Sequence, residues 1–292
     1  MEAKLMAKGF LFTLSVFLLL GFLLSFSVYY SPKPRDLSKE LTTSLKIEKA
    51  AYVADDLEID LNRLLGVNLD LNNQSTTAIA TIDDRLPSDF NRLALSAWET
   101  FVTGPYAQTI SSTIDLNTAG MTDANAELFF SNGIQYLFTS TDANSVQLFV
   151  PGGDTNFTNL DINLFVNDDL NNSAPWVPGT GDTNVTLRYG DNNAANAVFS
   201  SGLLSSTAAT QYLLRYSSLS TDSLTITFGR LAGSDAGIRI EDSIDNPATV
   251  VKLRIKFTVA SPGKPLTVSA NVDFNYVQAD MNLGRRLVIA RG

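Results

Sequence analysis

VKLRIKFTV, residues 251–259, alternates apolar and polar side chains without a break. Successive side chains of a β-strand point to opposite faces. Leu253, Ile255, Phe257 and Val259 therefore share one face, and Lys252, Arg254, Lys256 and Thr258 the other. Ser261-Pro262-Gly263-Lys264 follows as a turn, and Leu266, Val268, Ala270, Val272, Phe274 and Tyr276 alternate beyond it. The pattern predicts a long antiparallel hairpin with one buried face. Its core residues are expected to include Leu253, Ile255, Phe257, Val268, Val272 and Phe274.

Upstream, the period of two begins near Thr109. Short apolar-rich runs at 134–138, 146–150, 160–166, 185–189, 211–216 and 224–228 are separated by clusters such as PGGDTN and YGDNNAANA. Gly, Asn, Asp and Pro in such clusters punctuate strands. Many short strands at this spacing predict an antiparallel β-sandwich or jelly-roll-like head. No fixed period recurs, which argues against a solenoid or propeller.

Two helices precede this β-rich part. Residues 36–65 place Leu37, Leu41 and Leu45 four apart, and Val53, Leu57, Leu61, Leu64 and Leu65 continue the stripe to a stop at Gly66. Residues 88–101 predict a second helix, with Ser88 as its cap and Phe90, Leu93, Ala94, Ala97, Trp98 and Phe101 on its buried face.

The 292 residues are 45% hydrophobic and carry a formal net charge of -9, with no His and no Cys. An acidic chain without a basic block is a poor match to a phosphate backbone, so no nucleic-acid partner is expected. Without His and Cys there can be no zinc site built on them, no Ser-His-Asp triad, no catalytic thiol and no disulfide. Carboxylates, Lys, Tyr and Ser remain, and no cofactor is expected.

Residues 9–30, GFLFTLSVFLLLGFLLSFSVYY, contain no charge. About 20 helical residues span a hydrocarbon core, so the run is long enough to be a single-pass anchor. Lys4 and Lys8 precede it, Lys33 and Arg35 follow it, and Tyr29 and Tyr30 suit an interfacial belt. The short N-terminal end is expected inside and the long C-terminal part outside. Small residues at Ser25 and Ser27 also match a secretory signal, although the apolar core is long for one.

Lys8-Gly9-Phe10-Leu11-Phe12-Thr13-Leu14 resembles the cleavage region of archaeal class III signal peptides, as in type IV pilin-like precursors. The resemblance implies cleavage after Gly9, a mature N-terminus at Phe10, and a retained apolar helix. Leu14 stands where bacterial pilins carry Glu, so anchoring is implied more directly than assembly. The expected organisation is a leader at 1–9, a transmembrane helix at 10–30, an amphipathic stalk at 31–66 and an extracellular β-sandwich at 67–292. The expected function is that of a membrane-anchored surface protein, pilin-like, structural or adhesive, without catalysis. Its expected partners are the lipid bilayer, further pilin-like subunits and cell-surface glycans. The alternative is a carbohydrate-binding module or glycosidase on a β-sandwich.

Several residues bear on that choice. Glu58-Ile59-Asp60-Leu61-Asn62 has the look of a glycosidase carboxylate motif, but it falls in a helical pattern and reads as a solvated helix face. Asp154, Asp161, Asp168 and Asp169 lie in or beside loops, where calcium would need clustered oxygens and where acids are also ordinary turn residues. Asn73, Asn156, Asn171 and Asn184 open glycosylation sequons. Trp176 is either an exposed stacking aromatic or, more commonly, a ring covering the core.

Overall fold

In the computed structural model, Val251–Ala260 is a strand whose inner residues Val251, Leu253, Ile255, Phe257 and Val259 are buried, while Lys252, Arg254 and Lys256 are exposed. The structure describes residues 16, 18–27, 33–122, 125–139, 144–153, 157–174, 176–177, 179–216, 222–231, 233, 235–244, 248–260, 264–278 and 281–291. In chain order the elements are α1 (Lys33–Leu65), β1 (Asn68–Asn73), β2 (Thr77–Leu86), α2 (Arg92–Phe101), β3 (Thr113–Asn117), β4 (Asn125–Phe130) and β5 (Gln135–Thr139). They continue as β6 (Asn144–Val150), β7 (Phe157–Val166), β8 (Asn172–Ala174), β9 (Thr183–Gly190), β10 (Val198–Leu204), β11 (Thr210–Arg215) and β12 (Ser223–Arg230). The last are β13 (Ala236–Asp242), β14 (Val251–Ala260), β15 (Thr267–Gln278) and β16 (Met281–Arg291).

The chain divides into two compact units, Met1–Val53 and Ala54–Gly292. In the first, residues 18–27 are helical, and Leu18, Leu19, Phe22, Leu23 and Leu24 are exposed, as are Leu41 and Leu45 of α1. Among the described residues no helix is long and apolar enough to cross a membrane. Much of the 9–30 run, with Gly9, Phe10, Leu14, Tyr29 and Tyr30, lies outside the described residues.

The second unit is mainly β. One sheet has six strands in the order β1-β2-β14-β7-β9-β10. The other has ten, in the order β16-β15-β4-β5-β6-β13-β12-β11-β8, with β3 also pairing β15. Their inner faces share one core, as in a β-sandwich. Phe257 of β14 meets Phe130 of β4 edge-on at 5.4 Å, and Phe157 of β7 at 5.3 Å.

The expected hairpin does not form. β14 pairs with β2 and β7, whereas β15 pairs with β16, β3 and β4 in the other sheet. The chain instead passes from one sheet to the other between Ala260 and Thr267, and residues 261–263 are outside the described set. All six expected core residues are nevertheless buried. Alternation tells which face of a strand is apolar, and both strands turn that face into the same core. It carries no information on which edge they pair along.

Among the described residues the strand pairs are antiparallel except β7 and β9, which are parallel. A parallel neighbour requires a crossover. Here the connection leaves the six-stranded sheet, adds β8 to β11 at the edge of the other, and returns past Trp176.

Two further corrections concern the segment before residue 109. β1 and β2 were not expected, although Ala78, Ala80, Ile82, Asp84 and Leu86 alternate and are all buried. α2 starts at Arg92, with Asn91 rather than Ser88 as its cap: the Asn91 Oδ1 accepts from the Ala94 N–H at 3.0 Å. Its buried residue is Leu95, followed by Val102, while Leu93 is 83% and Phe101 52% exposed. Of the expected face, Phe90 is buried and Ala94 and Trp98 are half-buried. Apolar side chains cover a wide arc of this short helix, so periodicity alone did not separate Leu95 from Leu93 and Phe101.

Candidate functional site

The six-stranded sheet turns a polar outer face away from the core, and strand register sets its rows. One row runs Asn68, Asp83, Arg254, Asn163, Arg188 and Phe199 across β1, β2, β14, β7, β9 and β10. The adjacent row places Arg85 opposite Lys252, and Lys252 opposite Phe165. Arg254 donates to Asp83 from Nε at 2.5 Å and from Nη2 at 3.0 Å. Arg188 stacks over the Phe199 ring, 5.7 Å from its centroid.

Where these two rows end, a groove of about 520 Å³ opens between β2, β14 and β7. Asn68, Asp83, Arg85, Asn163, Phe165 and Lys252 contribute to its walls. Gly66 shapes one side. It ends α1 at φ +68°, a left-handed backbone that glycine adopts freely. A Cβ there would come within 2.6 Å of the Cβ of Asp89, so the absence of a side chain lets Asp89 approach and pair with Arg85. Phe165 is 43% exposed although its strand neighbours Leu164 and Val166 are buried.

Beneath this groove, Asp84 points inward and is 8% exposed. The Tyr136 hydroxyl donates to it at 2.5 Å and the Arg85 N–H at 2.7 Å. Burial raises its pKa to about 6, with the Tyr136 hydrogen bond opposing the rise. Burial likewise holds the Tyr136 hydroxyl well above the ordinary tyrosine value. The pair links the two sheets across the core.

The residues singled out in the sequence lie apart. Glu58, read as part of a solvated face, is buried on α1. Its carboxylate accepts from Arg285 at 2.7 Å, Arg291 at 2.6 Å and the Val288 N–H at 3.0 Å. It pins the helix to β16. Asp60 faces solvent beside Arg63 at 3.8 Å, and Asn62 is half-buried. The EIDLN stretch is thus helical and makes no strand-borne carboxylate pair.

Asp161 lies mid-strand on the outer sheet face, opposite Lys256. Asp168 accepts from the Thr249 hydroxyl at 3.1 Å and the Asp169 N–H at 2.9 Å, a turn-stabilising role. Asp154 is outside the described residues, and among the described residues no three acidic groups gather to hold a metal ion.

Asn73 uses its amide as a clamp, donating to the Leu266 carbonyl at 3.2 Å and accepting from its N–H at 2.9 Å. Asn184 lies within β9, donating to Asn159 at 2.9 Å, while Asn171 is exposed just before β8 and Asn156 is outside the described residues. Trp176 is 5% exposed and meets Tyr212 edge-on at 5.4 Å, so it covers the core.

Asp191, which the sequence did not single out, gathers the N–H groups of Leu170 and Asn193, the Tyr189 hydroxyl and the Asn196 amide. Phe165 and the Arg85–Lys252 pair were also missed. Their signal was an aromatic and two cations at outward positions of alternating strands.

Comparisons with family models, curated proteins and solved structures found no match to this chain.

Proposed function

We propose that this chain is an exported, membrane-anchored surface protein, a pilin-like structural or adhesive subunit with no catalytic role. The observation that carries this reading is the charge-free run at 9–30 placed ahead of a large, mainly β unit. A bilayer would hold the run laterally, with the N-terminus inside and the β unit outside. High-salt and carbonate washes should leave the full chain in the membrane fraction, because apolar burial does not respond to charge screening. External protease should then digest the β unit on intact cells. Release of intact protein into the medium would instead favour a cleaved secretory signal.

A carbohydrate-binding module is the second reading. It is supported by the groove on the outer sheet face, where an exposed Phe165 adjoins Asn, Asp, Arg and Lys side chains. A glycosidase has less support. Asp83 and Asp161 on that face each stand opposite a base, Arg254 and Lys256, which suits binding better than acid–base chemistry.

A further inference from the structure

Arg85 and Lys252 are direct cross-strand neighbours on the outer face of the six-stranded sheet. Like charges placed opposite each other destabilise a sheet unless an anion lies between or beside them. Asp89 pairs with Arg85, and Asp83 occupies Arg254. Among the described residues no carboxylate pairs with Lys252, which is exposed and lines the open groove. On its other side, directly opposite in register, stands the exposed ring of Phe165. One place thus offers an uncompensated cation, an aromatic face beside it, and the planar polar groups of Asn68, Asn163 and Asp83 around them.

We infer that this groove binds a carboxylated sugar, a uronic-acid unit of an acidic glycan. The sugar's carboxylate would sit on Lys252, since Asp89 already pairs with Arg85. Its ring would lie on Phe165, because the C–H face of a pyranose is apolar while its edge is lined with hydroxyls. Asn68, Asn163 and the Asp83–Arg254 pair supply donors and acceptors to those hydroxyls. A neutral sugar would leave Lys252 uncompensated, and a ringless polyanion would leave Phe165 bare, so the site discriminates against both. The inference deepens the adhesive and glycan-binding reading of the β unit and does not depend on how the 9–30 run is processed.

The test uses the full chain in detergent, titrated calorimetrically with tetragalacturonate, with maltotetraose as a neutral control and with polyglutamate as a ringless polyanion. Tetragalacturonate should bind at least tenfold more tightly than either, and more weakly as salt rises. Phe165→Ala and Lys252→Gln should each weaken it about tenfold at unchanged melting temperature, while Lys256→Ala, farther along β14, should change little. Equal affinity for maltotetraose or polyglutamate would overturn the inference, as would tetragalacturonate binding that survives both groove substitutions. Absence of any binding would overturn it too. Attachment of cells displaying the chain to a surface, measured in parallel, keeps the adhesive reading separately testable.

Discussion

Two hydrogen bonds hold the Asp84 carboxylate between the sheets, from the Tyr136 hydroxyl and the Arg85 N–H, and burial still raises its pKa to about 6. The folded protein therefore holds this proton more tightly than the unfolded chain, whose carboxyl titrates near 3.8. The associated stability is fully present below the unfolded value and is lost as pH rises through about 6, a change of about 3 kcal/mol for two pKa units. Asp242, also buried and raised to about 6, acts in the same direction. Chemical denaturation should show greater stability at pH 5 than at pH 7.5, and Asp84→Asn should remove part of that slope. Parallel pH profiles for the two proteins would refute the assignment. Glu58 is a different case, because it is buried with its partners present. Glu58→Ala would leave Arg285 and Arg291 only their longer contacts with Asp55, at 3.7 and 3.8 Å. We expect a loss of about 2 kcal/mol, below that of a wholly buried pair because Arg291 is half exposed. Double-mutant cycles with Arg285→Ala would measure it, and a cost below a few tenths would show that the helix does not depend on this contact. Neither role could be read from the sequence. An acid beside a leucine stripe looks the same whether its partners lie on a strand 227 residues away or in water.

β14 shows what an element's pattern does and does not encode. Its inner row packs Phe257 between Phe130 and Phe157, so Phe257→Ala should cost about 3–5 kcal/mol. Lys256→Ala, on the exposed face of the same strand, should change stability by no more than about 0.5 kcal/mol. Equal losses from the two changes in urea denaturation would mean that the outer face is covered as well. The buried sides of β14 and β15 were legible because the side-chain period of a strand is two residues. Their pairing was not, since a strand that turns back and one that arches to the facing sheet bury the same alternate residues. The groove was half legible for the same reason. Phe165 breaks the alternation of β7 by placing a ring outward, yet only register brings Lys252 beside it and Arg85 beyond. Short α2 was legible in type but not in face, since Leu93, Leu95 and Phe101 offer competing stripes.

At the scale of the whole molecule, the pilin-like proposal turns on whether the first nine residues are removed, and Gly9 and Phe10 lie outside the described residues. In the pilin-like reading a class III peptidase recognises the small residue before the cut, and the apolar run is kept because it lies after it. Gly9→Leu should then block processing without altering the β unit, which begins at Ala54 in the structure. Intact mass measurement of membrane-extracted protein should give a mature wild-type chain starting at Phe10 and a variant that retains its leader. Both should remain membrane-bound, because the charge-free run is present in each. Identical N-termini in the two proteins would rule out this processing, and a start after Ser27 would point to a secretory signal. Leu14 extends the test to assembly. A Glu at the fifth mature position gives bacterial pilins a charge to pair within the apolar core of a filament, where an unpaired charge is costly. With Leu in its place, helix packing would rest on apolar contacts alone, and self-assembly should be weaker or need contacts between β units. Regular filaments of this chain alone, with the β units removed by protease and the helices still assembled, would show that the charge is dispensable.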